Sequence, residues 1–195
     1  MSVQPPRKSL TRNQRAELFL EHGGISKTIS ISELRTRIAF DPATGILTWR
    51  FNPAGRAQWN GRFAGKRASN VSSHGYVRVN FKRRLLYGHR VAWAIFYGEW
   101  PVLEIDHING CGTDNRISNL RLATRTQNVR NIRRSSANKS GYKGVCLFRQ
   151  TGRWAAAISV NNKTIHLGFF STKEAAYEAY CTASQKYHGE FGRVE

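Results

Sequence analysis

Three strand-like segments followed by one helix-like segment occupy the last fifty residues, and this order restricts the fold more than any other feature. The strand segments are YKGVCLFR at 142–149, GRWAAAISV at 152–160 and KTIHLGFF at 163–170. The short breaks between them favour consecutive antiparallel strands. In the next segment, Ser171 and Glu174 fit a capping box. Five residues then recur at helical spacing: Ala176, Ala179, Tyr180, Ala183 and Tyr187. The pattern predicts a small βββα domain over residues 141–195.

A polar stretch at 133–140, RRSSANKS, predicts a linker between this domain and a mixed upstream region. We expect residues 1–37 to form a basic arm with short helices and residues 38–132 to form a second domain. The first predicted elements are a helix at 13–22, a helix from Ser32 through Phe40 and a turn at 41–45. Strands at 46–51, 75–81 and 85–89 follow, with a loop at 52–74 between the first two. The remaining elements are a helix at 90–98, a strand at 104–108, a strand or turn at 117–123, and a helix from Thr124 to about residue 132. The chain is therefore expected to be α+β.

The distribution of charge predicts a polyanionic partner. The chain has 195 residues, with 31 Lys and Arg against 12 Asp and Glu, and a formal net charge of +19. Residues 51–98 and 121–153 contain no acid, whereas the segment between them, 99–120, contains four acids and one arginine. So large an excess predicts nucleic acid first and a membrane surface second. The two basic blocks suggest a phosphate-binding surface around a carboxylate site, or else a solvated basic face.

The sequence also restricts the compartment. No apolar run approaches the roughly 18 residues of a membrane span, and the N-terminus lacks the apolar run of a secretory signal. Cys111, Cys146 and Cys181 are an odd number at wide spacing, which excludes a disulfide framework and a paired-cysteine zinc site. We expect a cytoplasmic protein that is not secreted, does not bind a membrane and needs no zinc.

Asp106, His107, Asn119 and Asn128 form the constellation that points most directly to chemistry. Asp106 and His107 lie on a predicted strand, Asn119 follows His107 by twelve residues, and Asn128 follows nine residues later in the predicted helix. A carboxylate, an imidazole and an amide oxygen around one point suit Mg²⁺ and a general base. The alternative is a turn pair with two Asx-turns. His89 would steady the site or contact phosphate, or else be a structural histidine.

The segments GHRVAWAIFYGEWP and IDHINGCGTDNRISNLRLATRTQNVRN resemble the HNH endonuclease family with the ββα-metal fold, in its phage and mobile-intron homing branch. FDPATGILTWR resembles the entry strand of that group, so the resemblance covers roughly residues 38–132. It implies a phosphodiester hydrolase in which Asp106 and Asn128 bind a divalent metal, expected to be Mg²⁺. It further implies that His107 is the general base and that Asn119 fixes the loop. Asn128 stands where most family members have histidine.

The runs YKGV at 142–145, GRWAA at 152–156, LGF at 167–169 and AAYEAY at 175–180 resemble the Apetala/ethylene-responsive-factor DNA-binding domain. The resemblance implies a three-stranded sheet in the major groove, with Lys143, Arg153 and Trp154 at contact positions and Arg149 nearby. Trp154 also suits a core aromatic, and Lys143 and Arg149 also suit solvated charges. Contact positions of the plant members differ here at Cys146, Phe148, Ser159 and His166.

These features predict a metal-dependent DNA endonuclease of homing or phage type, with a ββα-metal HNH domain followed by a βββα domain that places it on double-stranded DNA. Arg83, Arg84 and Arg125 are expected to bind the DNA backbone as well. No protein partner is evident. The alternative is a sequence-specific DNA-binding regulator with a decayed nuclease site. An RNA- or ribosome-associated protein is disfavoured, because the aromatics are not arranged as stacking platforms.

Overall fold

The computed structural model describes residues 29–194, which form two compact units. The first contains residues 29–107 and 111–122, and the second contains residues 108–110 and 123–194. Residues 1–28 of the predicted arm, with the predicted helix at 13–22, lie outside the described residues, whereas residues 29–37 belong to the first unit. The second unit begins before the predicted linker at 133–140, and Lys143 bridges that segment. The Lys143 ammonium donates hydrogen bonds to the carbonyl oxygens of Arg130, at 2.8 Å, and Ile132, at 2.7 Å.

The first unit opens with a short helix and a strand hairpin. Helix α1 (Ile31–Arg37) begins after Ser30, whose hydroxyl accepts a hydrogen bond from the Glu33 amide. The predicted helix from Ser32 through Phe40 is therefore wrong at both ends. Strand β1 (Ile38–Asp41) follows at once and pairs with β2 (Ile46–Trp49). Its first residue, Ile38, is β-branched, which favours a strand, and its side chain is fully buried. The turn between them is confirmed, and its Gly45 has a φ of 73°.

The predicted loop at 52–74 contains two elements that its Gly, Asn and Arg content conceals. Helix α2 (Ala57–Phe63) packs Trp59 edge-on against Trp49, with ring centroids 5.5 Å apart. Strand β3 (Ser69–Val71) then joins β4 (Val77–Phe81) and β5 (Arg84–Tyr87) in a sheet of order β3-β4-β5. Lys82 and Arg83 both have positive φ in the two-residue turn, so the predicted hairpin is confirmed.

Helix α3 (Gly88–Tyr97) supplies the core that positions the candidate site. It ends at the left-handed Gly98, as predicted, although it begins two residues early. One side of α3 packs through Val91 onto α1 and the sheet. Its Ala92 and Trp93 pack against Ile105 and Leu120. These contacts anchor β6 (Glu104–His107) and β7 (Leu120–Ala123), which form a two-stranded sheet, with a 3₁₀ turn at Ile117–Asn119 before β7.

The second unit starts with helix α4 (Arg125–Arg130), where the predicted capping box between Thr124 and Gln127 is confirmed. Three antiparallel strands follow in the order β8-β9-β10: β8 (Val145–Phe148), β9 (Arg153–Val160) and β10 (Lys163–Phe170). The chain is thus α+β, with a ββα motif followed by a βββα module, as predicted. No helix among residues 29–194 has the length and apolar character needed to cross a membrane.

Helix α5 (Lys173–His188) covers one face of the three-stranded sheet. The hydroxyl of Thr172, not Ser171, caps it by accepting a hydrogen bond from the Ala175 amide. Ala176, Tyr180 and Ala183 are buried as predicted, and Ser184 joins them. The predicted stripe is wrong at Tyr187, which is 37% exposed because the sheet no longer covers that last turn.

Candidate functional site

His107 lies at the end of β6, and the pairing of β6 with β7 buries it. Its Nε2 lies 3.1 Å from Oδ1 of Asn115. The Asn115 side-chain oxygen can only accept a hydrogen bond, so Nε2–H of His107 donates to it, and Nδ1 is the basic nitrogen. Burial lowers the pKa of His107 below its usual value, against the opposing effects of Asn115, Asp106 and Asp114. The imidazole is therefore neutral at physiological pH.

Asp106 is buried beside His107 and is paired with an arginine that the sequence did not single out. The Nε and Nη2 atoms of Arg121, on β7, each lie 2.8 Å from Oδ2 of Asp106. Only 4% of the Asp106 side chain and 14% of the Arg121 side chain are exposed. The fork of two charge-assisted hydrogen bonds fixes the orientation of the carboxylate.

The loop from 111 to 119 is shaped by asparagine side chains. Nδ2 of Asn119 donates to the carbonyl oxygen of Asp114 at 2.8 Å, a contact that ties Asn119 to the loop. Asn115 is 1% exposed, and its Oδ1 lies against Nε2 of His107, so it holds the imidazole ring as well as belonging to the loop. The turn at Gly45 touches this loop, because a Cβ there would lie 2.5 Å from the Arg116 nitrogen. Glycine is required at that contact.

His89, at the start of α3, lies directly against His107. The two rings meet edge to face, with centroids 5.1 Å apart. Tyr76 contacts both histidines at 5.9 Å, and Tyr87 stacks on His89 at 5.3 Å. His89 is 8% exposed, and its Nδ1 has no hydrogen-bond partner among the described residues. Burial, with the neighbouring His107 and Arg90, lowers the pKa of His89 to about 3. His89 is therefore a buried, uncharged ring that packs against His107, which fits a supporting role better than a phosphate contact.

The donor set around Asp106 fits a hard cation held by few protein ligands. The described residues contain no cluster of three or more His, Cys, Asp or Glu side chains that could hold a metal ion. Mg²⁺ commonly takes one or two carboxylates and keeps several waters. A cation on Asp106 would share the carboxylate with Arg121. Asn128 lies on α4, in the second unit, so its role as the other ligand stays a prediction.

Three arginines that the sequence predicts to bind DNA lie in the β4–β5 hairpin and in α4. Arg83 occupies the positive-φ turn and Arg84 begins β5. Arg125 is the first residue of α4. All three side chains are exposed, as phosphate contacts must be.

The predicted contact residues of the sheet module separate into two groups. Arg149 and Arg153 are exposed, and Nη2 of Arg153 donates to the Phe169 carbonyl oxygen at 2.7 Å. Trp154 instead packs against the cluster of Val145, Ala156 and Ala176 beneath the sheet. Its predicted alternative role as a core aromatic is thus the one that the packing supports. Lys143 bonds to the two carbonyl oxygens after α4, so its ammonium is not simply a solvated charge.

The open face of the sheet carries an aromatic pair beside Arg153. Phe148 pairs with Arg153 across β8 and β9, and Phe169 pairs with Ala155 across β9 and β10. The two phenyl rings lie 5.2 Å apart, and both are exposed. Elsewhere in the sheet, Cys146 pairs with Ala155, and His166 pairs with Ala157.

Arg121 and Tyr76 are the residues of the site that the sequence did not indicate. Arg121 belongs to a basic block that suggested phosphate contact, and nothing local distinguishes it from its neighbours. An available signal was its place on the strand predicted beside Asp106, since buried carboxylates require a partner. Tyr76 offered no such signal, because its contacts come from distant segments.

Comparisons with known proteins agree with both halves of this description. Residues 86–130 match the family model described as HNH endonuclease. The AP2-like ethylene-responsive transcription factor PLT2 of Arabidopsis thaliana is 39% identical over 82 residues, which cover 39% of this chain and 14% of that protein. The AP2-like ethylene-responsive transcription factor CRL5 of Oryza sativa subsp. japonica is 43% identical over 72 residues, 34% of this chain and 11% of that protein.

The chain spans less than a fifth of the length of these curated relatives. No solved structure gives a significant match. Both resemblances drawn from the sequence, to HNH endonucleases and to the Apetala/ethylene-responsive-factor domain, are confirmed.

Proposed function

We propose that this chain is a divalent-metal-dependent endonuclease that hydrolyses phosphodiester bonds in double-stranded DNA. The observation that carries the proposal is the buried, neutral His107, held through Nε2 by Asn115 and adjacent to Asp106, within the stretch that matches the HNH family model. A fixed imidazole with a basic Nδ1 can take a proton from a water that attacks phosphorus.

Each neighbour of His107 has a positioning task in this reaction. Asn115 fixes the tautomer and the ring plane. His89 and Tyr76 pack against the ring and keep water from its other surfaces. Asn119 ties the loop to the Asp114 carbonyl, which keeps Asn115 in place. A side chain locked in this way loses little entropy when it reaches the reactive geometry.

Asp106 and Asn128 are the side chains that would hold the metal, which we propose to be Mg²⁺. When bound, the ion would neutralise the charge that develops on the phosphate and on the leaving oxygen. Arg121 keeps the Asp106 carboxylate in one orientation for this purpose. We propose no zinc, because the donors named here are oxygens.

The second unit would place the nuclease on its DNA. The exposed Arg149 and Arg153 on the β8–β10 sheet suit a duplex groove. The net charge of +19 supports strong, salt-dependent attraction to the phosphate backbone. The resemblance to the homing branch extends the proposal to a phage or mobile-intron enzyme that acts in the host cytoplasm.

Plasmid cleavage tests this function. The purified chain should nick or cut supercoiled plasmid with Mg²⁺ and stop with EDTA. His107→Ala should lower the rate by roughly 10²- to 10⁴-fold, the contribution of a general base, with duplex affinity unchanged. His74→Ala changes an exposed histidine elsewhere in the same unit and is the matched control. If wild type and His107→Ala give identical rates, His107 is not the base.

A DNA-binding regulator with a decayed nuclease site is the second candidate. Two observations favour it: Arg121 occupies Oδ2 of Asp106, and the curated relatives named above are transcription factors. In that case the chain would bind duplex DNA tightly and never cleave it with Mg²⁺ or Mn²⁺. Cleavage that EDTA abolishes would exclude the regulator.

A further inference from the structure

The second unit contains a cavity of about 380 Å³ that the proposed mechanism does not use. Helix α4 forms one wall of the cavity, the β9–β10 hairpin forms a second, and the end of α5 forms a third. Its volume lies near the lower end of the roughly 300–1,000 Å³ range of small-ligand sites. It is large enough for a sugar-phosphate unit, and it is open to solvent on one side.

The cavity is lined by cations. Arg125 and Arg130 come from α4, Lys143 precedes β8, and His188 ends α5. None of the described residues that line it is acidic.

Two of the lining groups are disfavoured in their charged form. Burial and the nearby Arg193 lower the pKa of Lys143 to about 8. Burial lowers the pKa of His188, and the charges of Arg130 and Lys143 lower it further, against the bond that His188 makes to a carbonyl oxygen. An anion in the cavity would offset the positive charge that acts on His188.

The donors in the cavity are also held in place before any ligand arrives. Nε2 of His188 lies 2.9 Å from the carbonyl oxygen of Ser159. Lys143 uses two of its three N–H donors on carbonyl oxygens, which leaves one for a ligand. Asn161 and Asn162 both have positive φ, of 50° and 62°, in the hairpin turn that forms the rim. Such fixed, partly buried donors suit an oxyanion.

We propose that this cavity binds one phosphodiester of a DNA backbone, with Arg130 and Lys143 as its main contacts. The proposal rests on the DNA-binding part of the proposed function and does not depend on cleavage. The second unit would then contact the DNA backbone through a site formed by α4 and the β9–β10 hairpin. This site is separate from the open face of the sheet.

The test uses the full chain, a short duplex and the Arg130→Gln variant. One lost phosphate contact should lower the slope of log affinity against log salt by about 0.9, which is about an eightfold loss at 0.1 M salt relative to 1 M. Arg134→Gln removes the same charge four residues away and outside the cavity, where Nη1 donates to the Asn138 carbonyl oxygen. Thermal melting checks that both variants fold. Equal slopes for the two variants would overturn the proposal.

The imidazole resonances of His188 give a local readout. Duplex DNA should raise the pKa of His188 in wild type and in Arg134→Gln, and should raise it less in Arg130→Gln. Inorganic phosphate alone should produce a weaker shift. A shift with phosphate but not with duplex would mean that the cavity takes a free anion, and no shift with either would mean that it is no anion site. Both results overturn the proposal, and a chain that binds DNA without cutting leaves it standing.

Discussion

Arg121 contacts Asp106 through a single carboxylate oxygen: Nε and Nη2 of Arg121 each lie 2.8 Å from Oδ2 of Asp106. The pair joins β7 to β6 where both side chains are almost completely buried. A buried carboxylate without a partner is strongly unfavourable, so this arginine permits an acid at the centre of a basic protein. The same contact fixes the orientation that the Asp106 carboxylate would present to a bound cation.

Replacing Arg121 should therefore destabilise the first unit. We expect Arg121→Gln to lower the free energy of unfolding by about 3 kcal/mol, because it leaves a buried charge unpaired. Arg116→Gln is the control, since Arg116 makes a similar two-atom contact to Asp114 with half of its side chain exposed. That change should cost less than about 1 kcal/mol. Urea denaturation measures both losses of unfolding free energy. Equal losses would mean that the buried pair of Arg121 and Asp106 stabilises the unit no more than the exposed pair of Arg116 and Asp114.

His89 should make the chain sensitive to acid. Its pKa is about 3 in the folded state, against about 6.5 in an unfolded chain, so the unfolded state binds more protons between those values. Its contribution to stability is complete above pH 6.5 and is lost as the pH falls towards 3. The slope is at most about 1.4 kcal/mol per pH unit, the value for one proton.

His89→Phe keeps a ring against His107 but cannot titrate. The difference in unfolding free energy between wild type and this variant should fall steadily between pH 6.5 and pH 4. His74→Phe alters an exposed histidine in the same unit and is the matched control. A difference for His89→Phe that does not change with pH would mean that His89 binds a proton equally well in the folded and unfolded chain.

The sequence predicted those features that depend on a few neighbouring residues. The capping box of Thr124 and Gln127 acts within four residues, and Gly98 ends α3 by its own backbone conformation. Both were predicted correctly. The helix predicted from Ser32 extends too far, because residues 38–40 pair with β2 instead of continuing the helix.

The missed parts of the site depend on distant contacts. Arg121 meets Asp106 across fifteen residues only because β6 and β7 pair. His89 and Tyr76 reach His107 from a helix and a sheet that α3 packs together. Residue types and spacing found the Asp106-His107 pair and Asn119, whereas the residues that hold them follow from tertiary packing.

Trp154 and Arg149 should separate folding from DNA binding in the sheet module. Trp154→Ala removes a ring from the cluster of Val145, Ala156 and Ala176, and should cost about 3 kcal/mol in unfolding free energy. Arg149→Gln changes an exposed side chain and should leave stability within about 0.5 kcal/mol. It should lower the salt slope of duplex binding by about 0.9 if Arg149 contacts phosphate. Filter binding over a salt series measures this, and an unchanged slope would remove Arg149 from the interface.

Gly144 and Gly152 offer a matched test of the packing between β8 and α5. Both have positive φ, of 73° and 67°. A Cβ at Gly144 would lie 2.1 Å from Cδ2 of Tyr180, whereas nothing lies within 4 Å of a Cβ at Gly152. Gly152→Ala should cost about 1 kcal/mol for the left-handed backbone alone.

Gly144→Ala should cost about 2 kcal/mol more, because the buried Tyr180 ring must move or the strand must shift. Thermal or urea unfolding of the two variants gives the difference directly. The double variant Gly144→Ala with Tyr180→Leu should recover part of the loss, since the shorter side chain makes room for the new methyl group. Equal costs for the two single variants would mean that Tyr180 does not press against Gly144 in solution.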